Sequence, residues 1–125
     1  MYTVTVIREF IAQHFLIGGD CGAENNLHSH PYKLEVRLEG KKLDSHGYLV
    51  DIVEIESALA KTIDYFRDKT LNELSEFEGL NPSIEHFSRI LCKKISDQIS
   101  PQNLSAISIL LWEDHQAWAS FRLEL

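Results

Sequence analysis

Between Tyr32 and Glu39 the chain alternates without a break. Tyr32, Leu34, Val36 and Leu38 fall on one side, and Lys33, Glu35, Arg37 and Glu39 on the other. A strand with that pattern puts one face in a core and the other in water, as antiparallel sheets allow and buried parallel sheets do not. A second segment, Tyr2 to Leu16, is rich in β-branched residues and has the same period, with Phe10, Ala12, His14 and Leu16 sharing a face. Between them, Ile17 to Asn26 forms a loop holding Gly18, Gly19, Gly22 and the pair Asn25–Asn26. Two half-buried strands joined this way read as antiparallel neighbours.

Past a turn at Asp44 to Gly47 the period changes. Asp51 followed by Glu54 resembles a capping box, and Ile55, Ala58, Leu59, Ile63 and Phe66 follow at helical spacing. Asn81 before Pro82 marks a second helix start, with Asn as the cap and Pro in the first turn. Its apolar stripe is Ile84, Phe87, Leu91 and Ile95, and Pro101 closes it. Ala106 to Glu113 and Trp118 to Leu125 are strand-like, joined by a turn near Asp114 to Gln116. The order is β-β-α-α-β-β, without linker or repeat. It predicts one α+β domain over residues 1–125, a four-stranded antiparallel sheet with two helices on one face.

Composition removes several functional classes. At 125 residues the chain fits one hydrophobic core, since such cores commonly run to roughly 100–150 residues. A formal net charge of −7 argues against a nucleic-acid partner, which needs clustered Lys and Arg. It leaves room for a small phosphorylated substrate. No apolar run approaches the roughly 18–20 residues that cross a bilayer. The opening stretch Met1 to Leu16 alternates polar and apolar residues, unlike a secretory signal, so a cytoplasmic protein with no membrane partner is expected. In a reducing compartment Cys21 and Cys92 are not expected to pair; Cys92, among helix formers, reads as a small core residue.

His28 and His30 carry the chemistry. In an extended backbone, residues two apart point to the same side, so both imidazoles can converge on one ion. His14, near the end of the first strand, could supply a third nitrogen if the two strands pair as a hairpin. Three protein ligands leave a fourth position for water or substrate, the arrangement of a catalytic zinc site. Spacing alone leaves two other readings open. The histidines can be unrelated, or Cys21 can close the site as a fourth ligand.

Phe10-Ile11-Ala12-Gln13-His14-Phe15-Leu16 resembles the F-x-A-x-H-x-L signature of the 6-pyruvoyl-tetrahydropterin synthase and 6-carboxytetrahydropterin synthase family. Cys21 preceding His28-Ser29-His30 is similar to the family's loop cysteine before H-G-H. Gly47 and Asp51 resemble its G-x-x-x-D, Pro82-Ser83-Ile84-Glu85 its P-T-x-E helix start, and Glu113 its pterin-anchoring glutamate. The resemblance spans nearly the whole chain. It implies a T-fold, Zn2+ held by His14, His28 and His30, and a homo-oligomer (trimer or hexamer) with sites at subunit interfaces. The implied activity is a lyase reaction on 7,8-dihydroneopterin triphosphate or a related reduced pterin, in tetrahydropterin or queuosine-precursor synthesis. Cys21 would move a proton, while Glu113 and Ser83 would seat the pterin.

Three departures bear on that activity. The family's Asp–His pair has no counterpart in Phe66-Arg67-Asp68-Lys69-Thr70-Leu71-Asn72, where a gapless reading puts Asp68 at the histidine position and a one-residue gap puts Lys69 there; Asp68 is the candidate acid–base group. His46, His86 and His115 are the other imidazoles that space could bring in as substitutes. Cys21 lies seven residues before His28, a longer gap than the family pattern, and Phe15 replaces a basic residue that is common after the first histidine. These departures leave a second reading, a pterin- or purine-binding homologue with altered or lost chemistry.

Overall fold

The computed structural model describes residues 1–125. Strand β1 (Tyr2–His14) and strand β2 (His28–Gly40) form a long antiparallel hairpin, followed by helices α1 (Ile52–Phe66) and α2 (Ile84–Ser96) and strands β3 (Ala106–Trp112) and β4 (Trp118–Glu124). The sheet runs β1-β2-β3-β4, antiparallel throughout. This is the expected ββααββ order. The first strand ends at His14 rather than Leu16, and the second begins at His28 rather than Tyr32. The cause is the register: His14 pairs directly with His28, Ala12 with His30 and Phe10 with Tyr32. The connection therefore runs from Phe15 to Leu27, and all three histidines sit within the ladder.

Alternation decides which face is buried. Val6, Phe10, Ala12, Tyr32, Leu34, Val36 and Leu38 join Ile107, Ile109 and Leu111 on the face that the helices cover. Helix α2 packs on β3 and β4, and α1 on β1. Phe87, from α2, stands at the centre, with ring centroids 5.3 Å from Tyr32, 5.1 Å from Phe66 and 5.5 Å from Phe77. Cys92 is fully buried and unpaired, as expected, and burial pushes its thiol up to about 11.

Two helix starts differ in detail from expectation. Asp51 caps α1 by accepting from the Val53 amide, but Glu54 does not complete a capping box; its carboxylate accepts from the Ser100 amide at 2.6 Å. At α2 the cap is Ser83, whose hydroxyl accepts from the His86 amide at 3.2 Å. Asn81 is released for another task, accepting the Ile17 amide at 2.9 Å. Two 3-10 turns, Leu71–Glu73 and Ser75–Phe77, fill the α1–α2 connection and bury Leu71 and Phe77. Gly40 ends β2 where a Cβ would lie 2.3 Å from the Asn103 carbonyl oxygen, so no larger residue fits there.

Candidate metal centre

The β1–β2 hairpin is longer than the rest of the sheet. β3 pairs with β2 only from Lys33 to Glu39, so His28 to Tyr32 project beyond it. On that overhang the core face continues as His14, His28 and His30 instead of apolar side chains. Ala12 stands opposite His30, and its single methyl group leaves the imidazole room. The 3-10 turn Gly22–Asn25 folds back over the three rings and delivers Glu24. One ligand-type atom from each of His14, Glu24, His28 and His30 lies within 4.8 Å of the others.

Hydrogen bonds fix which ring nitrogens are available. His14 Nδ1 donates to the Pro82 carbonyl at 2.8 Å, and His28 Nδ1 donates to the Asn26 carbonyl at 2.7 Å. A carbonyl only accepts, so in the neutral rings both Nε2 atoms carry lone pairs. His14 Nε2 is buried and has no hydrogen-bond partner. His28 Nε2 lies 2.9 Å from His30 Nε2 and 2.6 Å from Glu24 Oε2. Backbone carbonyls behind the rings, with lone pairs meeting in front, are how proteins orient histidine toward a metal. The donor set fits a divalent cation that takes nitrogen and oxygen ligands.

Electrostatics point the same way. Burial lowers His14 from 6.5 to about 4; the Pro82 hydrogen bond opposes the shift, while His30 and His28 add to it. The ring is thereby kept neutral, the form a metal needs. Glu113, at the end of β3, places Oε1 3.1 Å from His30 Nε2. Its carboxyl is raised above the ordinary range, mainly by burial, with the nearby histidines pulling it back. Tyr32 stands behind the cluster, its hydroxyl 3.3 Å from His14 Nδ1, and burial pushes its ionisation up.

The other sequence candidates lie around this group or away from it. Cys21 precedes Glu24 on the same turn, but its thiol is exposed, 3.9 Å from the Gly18 carbonyl, and outside the four converging residues. Asp68 follows α1 in a left-handed conformation (φ 61°), exposed, with its amide donating to the Ile11 carbonyl of β1. Ser83 is one residue from the carbonyl that holds His14. His46 stacks with Tyr48 at the turn before α1, and His86 Nδ1 lies 2.8 Å from the Asn81 carbonyl; neither these nor His115 joins the group. Glu24 is the residue that sequence reasoning missed. Its signal was weak but present, a carboxylate four residues before His28 in a glycine-bounded loop.

An antiparallel sheet with paired helices on one face defines an α+β protein of the T-fold class, and the histidine–carboxylate cluster at the overhanging end of its first hairpin is a group that could hold a metal ion. The model of the family described as 6-pyruvoyl tetrahydropterin synthase matches residues 3–124, and the chain belongs to that family. It is 26% identical over 141 residues to the "Putative 6-carboxy-5,6,7,8-tetrahydropterin synthase" of Pyrococcus abyssi, covering 94% of this chain and 88% of that one. Among solved structures, 6-pyruvoyl tetrahydropterin synthase from Caenorhabditis elegans superposes with a TM-score of 0.83 at 20% identity, covering 98% of this chain and 96% of the other. A Plasmodium vivax 6-pyruvoyltetrahydropterin synthase, in a form whose catalytic glutamate is replaced by alanine, gives 0.80 at 13% identity over the full length of both. These two share the fold.

Proposed function

We propose that this chain is a zinc-dependent lyase acting on 7,8-dihydroneopterin triphosphate or a closely related reduced pterin, eliminating triphosphate and remodelling the side chain. Membership of the tetrahydropterin synthase family supports the reaction class. The observation that carries the metal is the buried, unpartnered Nε2 of His14, facing His28 and His30. A zinc ion held there would polarise the side-chain oxygens and acidify the neighbouring C–H.

The remaining steps belong to the chain's own groups. Glu113, at the cluster's rim, accepts hydrogen bonds from the pterin's amino group and ring nitrogen, a two-point match for a carboxylate. Ser83, at the start of α2, contributes to the seat. Proton transfer falls to the 21–24 turn, where Glu24 reaches the cluster and Cys21 lies three residues earlier. The Plasmodium vivax enzyme of the same fold has a glutamate among its catalytic residues. Asp68, bonded through its amide to Ile11 of β1, lies outside this cluster, so the acid–base role proposed for it requires a site completed by a neighbouring protomer. β4 and the first part of β1, before the Asp68–Thr70 segment pairs with Ile11 and Gln13, leave unpaired edges that association would cover. The assembly proposed is a homo-oligomer, trimer or hexamer.

The decisive experiment mixes metal-loaded protein with 7,8-dihydroneopterin triphosphate and follows the products by mass spectrometry. Release of inorganic triphosphate with a new pterin is expected. A folded, zinc-replete assembly that leaves the substrate intact would overturn the assignment. The alternative reading, a pterin- or purine-binding homologue without turnover, is motivated by the absent Asp–His pair. It predicts saturable ligand binding, abolished by Glu113→Gln, with no product.

A further inference from the structure

We propose that Glu24 Oε2 is the fourth protein ligand of the metal centre, so that the resting site is closed by three imidazoles and one carboxylate. The inference rests on the metal reading above and goes beyond it, because three histidines alone would leave that position to water.

Three observations carry it. First, Glu24 Oε2 is buried at the atom and makes no hydrogen bond, although it lies 2.6 Å from His28 Nε2 and 3.8 Å from His30 Nε2. A carboxylate oxygen that close to a ring nitrogen needs positive charge between them, which a shared metal ion supplies while leaving the His28 ring neutral. Second, the atom completes a set. The Nε2 of His14 is also unpartnered, and tetrahedral zinc, with bonds of about 2.0–2.2 Å to N and O, separates its ligands by roughly 3.3 Å, matching a group whose atoms lie within 4.8 Å of one another.

Third, the turn is built to present this side chain. The Leu16 amide donates to the Glu24 carbonyl at 2.8 Å, and the Cys21 amide to Asn25 Oδ1 at 2.7 Å. Asn25 Nδ2 in turn donates to the Leu16 carbonyl at 2.9 Å. Gly22 enters the turn at φ 63°, a conformation costly for other residues. The bonds on either side hold the Glu24 backbone over the rings, while the Cys21 thiol stays outside. A closed shell also lowers the net charge of a divalent site by one, which suits a half-buried cluster that already faces Glu113.

The test uses the full chain loaded with cobalt(II), whose visible absorption reports coordination number and donor type, together with chelator competition for zinc. Glu24→Gln is expected to shift the cobalt bands and weaken zinc affinity about 100-fold, while Glu24→Asp recovers part of the loss. Cys21→Ser is expected to leave both readouts unchanged. Zinc affinity within twofold of the parent and an identical cobalt spectrum in a folded Glu24→Gln chain would overturn the ligand assignment alone. Failure of the parent chain to take up either metal would overturn the metal reading as well. A spectrum altered by Cys21→Ser, with none from Glu24→Gln, would transfer the position to the thiol.

Discussion

The two halves of the β1–β2 hairpin use the same backbone for opposite purposes. From Val6 to Phe10, opposite Tyr32 to Val36, the covered face is aromatic and aliphatic, and Phe10 and Tyr32 stack with centroids 5.5 Å apart. From Ala12 to His14, opposite His28 to His30, the same face carries imidazoles whose free nitrogens meet with no apolar partner between them. Side chains on one face repeat every second residue in both halves. What differs is support. Most of the first half has β3 beside it, and the second projects past it, flanked by the Gly22–Asn25 turn, the start of α2, Glu113 and the segment from Asp68 to Asn72. The apolar half supplies rigidity, and the overhang spends it on holding unsatisfied lone pairs.

The largest effect should separate the halves by function. His28→Ala removes one nitrogen from a partly exposed ring. It should reduce zinc affinity by about 1,000-fold or more, since each ligand of a nitrogen–oxygen site carries several kcal/mol. The urea midpoint of the metal-free chain should move little. A variant that keeps parental zinc affinity in chelator competition would break the comparison. The converse is Phe87→Ala in α2, whose ring touches Tyr32, Phe66 and Phe77. It should cost about 3–5 kcal/mol in urea unfolding, with or without metal, as large truncations in well-packed cores do.

A smaller effect sharpens the difference through pH. His14 titrates at about 4 in the folded chain against 6.5 for the unperturbed group, mainly because it is buried. The unfolded state therefore binds a proton first as the medium is acidified. The stability tied to a neutral His14 is fully present above about pH 6.5, is lost as pH falls, and is gone below about pH 4. The difference integrates to about 3 kcal/mol. Metal-free protein should lose stability over that window more steeply than His14→Leu, which has nothing to protonate there. Parallel curves for the two chains would mean that His14 is not buried in its neutral form.

Where chain periodicity decides the structure, the sequence was legible. The unbroken alternation from Tyr32 to Glu39 and the helical stripe from Ile55 to Phe66 both fold as their periods require. The stripe from Ile84 to Ile95 does the same. Hydrophobic pattern at period 2 or 3.6 is a local property, and burial follows from it. The three imidazoles were legible for the same reason, since His28 and His30 are two apart and His14 falls in the facing strand. Glu24 was not legible, because its reach depends on how a glycine-rich turn folds back, which no period encodes. Asn81 and Ser83 show the same limit. Both are good caps, and Ser83 caps α2 because Asn81 is drawn to the Ile17 amide, a contact 64 residues away in sequence.

The smallest predicted effect lies where the two halves meet. Ser83 starts α2, which carries Phe87 into the core, and follows Pro82, whose carbonyl holds His14 Nδ1. As a cap, its hydroxyl satisfies the His86 amide, and Ser83→Ala should lower unfolding stability by about 1 kcal/mol. Aspartate caps helices as well as serine does, so Ser83→Asp should restore that stability. It also adds a negative charge beside a seat proposed for an electron-rich pterin and its triphosphate. If Ser83 touches substrate, Ser83→Asp will raise KM severalfold in a chain as stable as the parent. If capping is its whole role, Ser83→Asp will match the parent in both stability and KM, and the pterin seat must be built without it.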